Sequence, residues 1–166
     1  MSVAEVERSQ KMQATPTVDR ESRRRLAELL RHLAAGLITN NEFEARRPRR
    51  SRDLVVRQIF QEGAWFLYDD THEHRLTGRH RLSSRNRDSV ARWILFLETD
   101  LPYEWPIVPF GIRLALMPFN LVSLGLLGRV VQRFASRGGP VDLWPFRRHS
   151  DYQTAVQNPP YLKSAV

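Results

Sequence analysis

The chain has 166 residues, enough for one domain with its own core. It has no cysteine, which excludes disulfides, thiol catalysis and cysteine-ligated zinc. Its net charge is +8 and only Lys11 and Lys163 among its 26 basic residues are lysine, so weak, salt-sensitive attraction to nucleic acid or anionic lipid is expected.

Residues 1–18 carry few large apolar side chains and are expected to form a disordered tail. Met1 to Thr17 lacks the apolar core of a secretory signal. The expected location is therefore the cytoplasm, free or peripheral to the inner membrane.

Asp19 is a good N-cap, and Leu26, Leu29, Leu30, Leu33 and Leu37 then recur at helical spacing. Gly36 sits where a left-handed C-cap would end that helix. Thr39-Asn40-Asn41-Glu42 fits a capping box, with Ile38 and Phe43 placed as a hydrophobic staple. A short second helix then ends before Pro48. Residues 19–47 thus read as a helical hairpin ahead of a main helical domain at 48–166. A two-helix piece cannot bury its own apolar face, so this one must dock on the main body or on another subunit. The candidate interaction residues are Leu30, Leu33, Ile38 and Phe43, joined by Trp105 and Trp144 of two Trp-Pro pairs expected to pack as rigid apolar plugs.

The run from Leu29 through Gly36, Ile38, Thr39, Glu42 and Phe43 resembles the SHOCT motif, a short helical hairpin. The resemblance covers about a sixth of the chain and implies an oligomerisation or interaction module. Gly63-Ala-Trp65 through Pro106 also looks like bacterial proteins of similar size, which implies no activity.

Arg46, Arg47, Arg49, Arg50 and Arg52 form the densest basic run. It reads either as a phosphate grip or as a solvated linker broken by Pro48. Arg20, Arg23, Arg24, Arg25 and Arg31 could form a charged stripe on the first helix. No helix-turn-helix or base-stacking sheet is readable, so specific nucleic-acid recognition is not expected.

Ser51 is placed to cap a helix through about Tyr68, with Val55, Ile59, Phe60, Phe66 and Leu67 on its apolar side and a weak point at Gly63. A polar connection from Asp69 to Leu82 follows. It holds His72, His74 and His80, the only grouping of metal-capable side chains. Asp69, Asp70, Glu73, Asp100 and Glu104 are acid–base candidates by residue type alone. Ser83 or Ser84 is expected to cap a helix to about Thr99, with Val90, Ile94, Leu95 and Leu97 inward and Trp93 at its edge.

Between Glu104 and Arg129 the only charge is Arg113. The segment 107–128 is long enough to span a bilayer, but Arg113, Pro109, Pro118 and Asn120 interrupt it. A soluble core or an interfacial contact with anionic lipid fits it better. A helix is expected from Leu121 to about Ser136, and a second capping box at Ser150-Asp-Tyr-Gln153 starts a last short helix.

The expected fold is mainly α, a compact bundle of four to six helices with an N-terminal helical hairpin and a disordered N-terminus. The expected function is a non-enzymatic interaction or scaffold protein with no cofactor, binding a protein partner or a second copy of itself. Two alternatives are a membrane-associated accessory protein using 107–128, and a metal-binding protein or hydrolase using the His72–His80 loop.

Overall fold

The computed structural model describes residues 17–105 and 141–159. Residues 1–16 of the expected tail, the apolar segment 107–128 and the helix placed at 121–136 lie outside the described residues. The described residues hold five α-helices and no strand, so the protein is mainly α.

Helix α1, Arg20–Ala34, starts where its first free amides find a carboxylate. Asp19 Oδ1 accepts from the Ser22 amide at 3.0 Å. Leu26, Leu29, Leu30 and Leu33 then share one buried face. At the other end the Leu37 amide donates to His32 O at 2.9 Å and the Gly36 amide to Leu33 O at 3.0 Å. This Schellman closure needs a positive φ at Gly36, which is 68°. A Cβ there would also strike the Thr77 methyl, so glycine lets the later loop lie close.

Helix α2, Asn40–Arg46, carries the expected capping box. Thr39 Oγ1 accepts from the Glu42 amide at 3.1 Å, and Glu42 Oε2 accepts from the Thr39 amide at 3.0 Å. Helix α3, Leu54–Glu62, begins at Asp53 and not at Ser51, because the Asp53 carboxylate takes the Val55 amide at 3.1 Å. Ser51 instead links Asp19 Oδ2, at 2.9 Å, to the Asp53 amide, at 3.2 Å. Helix α3 also stops at Gly63, short of Tyr68, and a 3-10 turn at Ala64–Leu67 follows. A Cβ on Gly63 would lie 2.8 Å from the Trp93 ring, so only glycine lets the chain turn against that indole.

Helix α4, Ser84–Leu97, is capped by Ser83, which accepts from the Asn86 amide at 3.2 Å. Its buried face is Val90, Trp93, Phe96 and Leu97. Trp93 lies inward, while Ile94 and Leu95 are only half-buried. The Phe96 ring lies under Arg23 of α1, the helix that α4 packs on most extensively, while the indole of Trp93 meets Gly63 and Trp144. Helix α5, His149–Gln157, starts with no side-chain cap, so the second capping box does not form. Its approach is fixed by Phe146, whose ring meets Phe96 at 5.0 Å and Tyr152 at 5.4 Å.

A buried ion pair sits inside this packing. Arg23, expected on a solvated stripe, is 1% exposed. Its Nε donates to Asp53 Oδ2 at 2.5 Å, and Asp53 is itself 2% exposed. Its Nη1 donates to Thr99 O at 2.7 Å, and its Nη2 donates to Leu101 O at 3.0 Å and to Asp53 Oδ1 at 3.3 Å. The guanidinium also lies over the Phe96 ring, 5.5 Å from its centroid. A buried charge is tolerated only when paired and hydrogen-bonded, and here both partners are. Other arginines of the stripe find partners at the surface. Arg20 meets Asp100 at 2.6 Å, Arg31 meets Glu98 at 2.8 Å, and Arg25 donates to Arg46 O at 3.0 Å.

The Ser22 amide holds the Asp19 carboxyl below its ordinary value of 3.8. A depressed carboxylate contributes stability above its unfolded pKa and loses it as pH falls through the folded one. Asp19→Ala should therefore destabilise the protein by about 1 kcal/mol at neutral pH. In thermal unfolding, its deficit should shrink as pH drops below 3.8.

Candidate functional site

The residues expected to meet a partner are distributed differently. Leu30, Leu33, Ile38 and Phe43 are all buried within this chain. The hairpin's apolar face is taken up by the main body, so these four side chains are not a contact surface. Phe43 stacks on Phe60 of α3 at 6.1 Å and meets the edge of Tyr68 at 6.2 Å. Trp105 is buried, and its Nε1 has no hydrogen-bond partner among the described residues. Trp144 is half-buried, edge-on to Trp93 at 5.7 Å, with its Nε1 donating to the Tyr103 hydroxyl at 3.2 Å. Burial pushes the Tyr103 hydroxyl up to about 12. Both tryptophans are therefore core contacts.

The exposed aromatic residues lie elsewhere. The turn after α3 leaves Phe66 69% exposed and Trp65 40% exposed. A continuous helix to Tyr68 would have placed Phe66 on the apolar side. The break at Gly63 turns it out to solvent. Gly63 is the signal in the chain that marks this change.

The basic run borders the same patch. Arg47 lies over the Phe60 ring, 3.7 Å from its centroid, and the Trp65 ring meets Phe60 edge-on at 5.9 Å. Burial lowers the Arg47 pKa, and its Nε lacks a hydrogen-bond partner among the described residues. Arg46, Arg49, Arg50 and Arg52 are exposed. Arg46 bonds Glu42 at 3.0 Å and Arg49 bonds Glu44 O at 3.3 Å. The run is thus a partly structured arginine border that abuts aromatic side chains. Tyr68 lies within reach of it, and burial and the Glu44 carboxylate hold its hydroxyl well above the usual tyrosine range.

The histidine loop folds onto the start of α2. Asn40, buried and missed in the sequence reading, fastens it. Its Nδ2 donates to Asp69 O and His72 O, both at 3.0 Å, and its Oδ1 accepts from the His74 amide at 2.9 Å. The Asn40 amide in turn donates to His74 O at 3.1 Å, and Thr39 pairs with Arg75 in an antiparallel bridge. Glu73 accepts from the Thr39 hydroxyl at 2.6 Å. A 3-10 turn at Gly78–His80, with Gly78 at φ 55°, brings His80 back over the pair. The rings of His72, His74 and His80 all come together, with centroids 4.9, 5.7 and 4.4 Å apart. Partial desolvation and the nearby His74 and Arg79 hold His80 below its ordinary value. The Thr71 amide does the same for Asp69. Among the described residues, no group of three or more His, Asp or Glu side chains is placed to hold a metal ion, the expected His72, His74 and His80 grouping included. Among the same residues, no helix is long and apolar enough to cross a membrane.

Asn40→Ala should release this loop. Three backbone groups would lose their partner, at a cost of about 2–4 kcal/mol in urea unfolding. Amide exchange at residues 72–75 should rise well beyond the global change. A loop that stays protected would show that Asn40 does not hold it. The chain matches no protein-family model, and no curated protein or solved structure resembles it significantly.

Proposed function

We propose that this chain is a non-enzymatic interaction protein whose contact surface is the exposed Trp65–Phe66 pair and the arginine run beside it. The supporting observation is the continuity from Arg47 over Phe60 to the edge of Trp65, next to an outward-facing Phe66. Aromatic and arginine side chains dominate binding energy at protein interfaces. A partner that buries Phe66 removes its ring from water, and an acidic segment on that partner matches the exposed arginines.

A protein partner fits better than a phosphate polymer or a lipid surface. Glu42 and Glu44 stand among the arginines and would repel a uniformly anionic surface. The resemblance of residues 19–47 to an interaction hairpin agrees, with the hairpin acting as support for the surface. The reading fits a cytoplasmic protein, and peripheral attachment to an inner membrane would be an added property.

The test is a photo-crosslinking residue at position 66 in the cells that make the protein, with position 85 on α4 as the exposed control. A discrete partner cross-linked through an acidic segment at 66, and not at 85, is expected. Arg47→Ala and a separate Trp65→Ala should each lower its capture at least about tenfold. Adducts to lipid alone, or equal yields at both positions, would overturn the proposal.

A further inference from the structure

We propose that the arginines of residues 75–87 form a second binding surface, which holds a nucleic acid through its phosphate backbone without reading its sequence. Residues 75–87 hold Arg75, Arg79, Arg81, Arg85 and Arg87 and no acidic residue. The inference is independent of the Trp65–Phe66 surface. A photo-adduct formed at position 85 is then nucleic acid, chemically distinct from the protein captured at position 66.

The fold turns these side chains outward and fixes the backbone beneath them. Leu76 and Leu82 are buried and anchor the loop, while all five arginines are exposed. Between the anchors the Thr77 amide donates to Arg75 O at 2.8 Å, the His80 amide to Thr77 O at 3.0 Å and the Arg81 amide to Gly78 O at 3.2 Å. Upstream the Arg75 backbone bridges to Thr39, and downstream Ser83 caps α4. Among the described residues, the guanidinium groups of Arg75, Arg81 and Arg85 have no hydrogen bond or ion pair. Arg79 donates from Nε to His80 Nε2 at 3.0 Å, and Arg87 donates from Nη1 to Leu82 O at 2.9 Å. Each of the five therefore keeps N–H groups to give to a phosphate, and a guanidinium fork matches phosphate oxygens two at a time.

The chemistry of the surface selects its partner. An interfacial contact with lipid buries apolar side chains beside the charges, and a protein interface centres on aromatic anchors in desolvated pockets. Residues 75–87 expose neither, since their two large apolar side chains, Leu76 and Leu82, are the buried anchors. Interfaces with nucleic acid are instead polar and strongly positive. The carboxylates lie outside the run and set its limits. Asp69, Asp70 and Glu73 precede it, and Asp88 follows it. Glu73 is already occupied by the Thr39 hydroxyl at 2.6 Å, and Asp69 by the Thr71 amide at 2.8 Å. The grouped imidazoles of His72, His74 and His80 are neutral or positive, so they do not oppose an anion.

The test is fluorescence anisotropy of the full chain with a labelled single-stranded oligonucleotide of mixed sequence, over a series of salt concentrations. Affinity should fall with salt with a log–log slope of about −2 to −3, the value for three or four neutralised phosphates, and a second oligonucleotide of unrelated sequence should bind alike. Arg79→Gln combined with Arg81→Gln should weaken binding at least about tenfold and reduce the slope by about 1. Arg49→Gln combined with Arg50→Gln removes the same charge from the other basic run and should weaken binding less than about threefold. Circular dichroism confirms that both double variants keep their helices. Equal losses in the two double variants would overturn the proposal, because net charge alone would then explain the binding. Absence of binding at about 50 mM salt, or binding to phosphatidylserine vesicles with none to the oligonucleotide, would also overturn it.

Discussion

The buried ion pair of Arg23 and Asp53 is the constraint on which the rest of the packing depends. Four bonds leave one guanidinium, and they reach two other parts of the chain. Two go to Asp53 at the start of α3, and one each to the carbonyls of Thr99 and Leu101 after α4. The carboxylate is equally occupied. Besides Arg23 it accepts from the Asp19 amide at 3.1 Å and from the Val55 amide at 3.1 Å. One pair therefore joins the N-terminus of α1, the N-terminus of α3 and the exit of α4. The desolvation cost of both charges is offset only while all of these partners stay in place. Such a pair adds less to stability than its geometry suggests, but it penalises any packing that leaves one member alone.

The functional surfaces follow from that junction. With α3 fixed against α1 and α4, Gly63 lies against Trp93 and the chain must turn there. That turn exposes Trp65 and Phe66 and brings the following loop back to Asn40 on α2. The hairpin is the platform for both features. Its apolar residues pay the cost of its own docking, and the sites it supports are made by later residues packed on it.

Most local signals were legible in the sequence, the Ser150–Gln153 box being an exception, and distant ones were not. Asp19, the Thr39–Glu42 box, Ser83 and the Gly36 closure each depend on residues within a few positions, and all four appear as expected. Arg23 could not be told from its neighbours, because an arginine in a basic stripe reads the same until its partner 30 residues away is in place. Ser51 was the expected cap, but Asp53 takes the role, its carboxylate held in place by Arg23 and by the Asp19 amide, both distant in sequence. Trp93 was placed at an edge since periodicity cannot weigh an indole against Ile94 when both fall near the boundary of one face. The convergence of His80 on His72 and His74 needed the turn at Gly78, whose positive φ is a property of the fold. Phe66 pointed inward only on the assumption that the helix crossed Gly63.

The claim that one buried pair organises the packing is tested most directly by a double-mutant cycle at Arg23 and Asp53, read by urea unfolding. Arg23→Met and Asp53→Ala should each cost about 3–5 kcal/mol, since either strands a buried charge. The double variant should lose far less than the sum, with a coupling of about 2 kcal/mol or more. Single losses that simply add would contradict the account, because they would mean that the two side chains act separately.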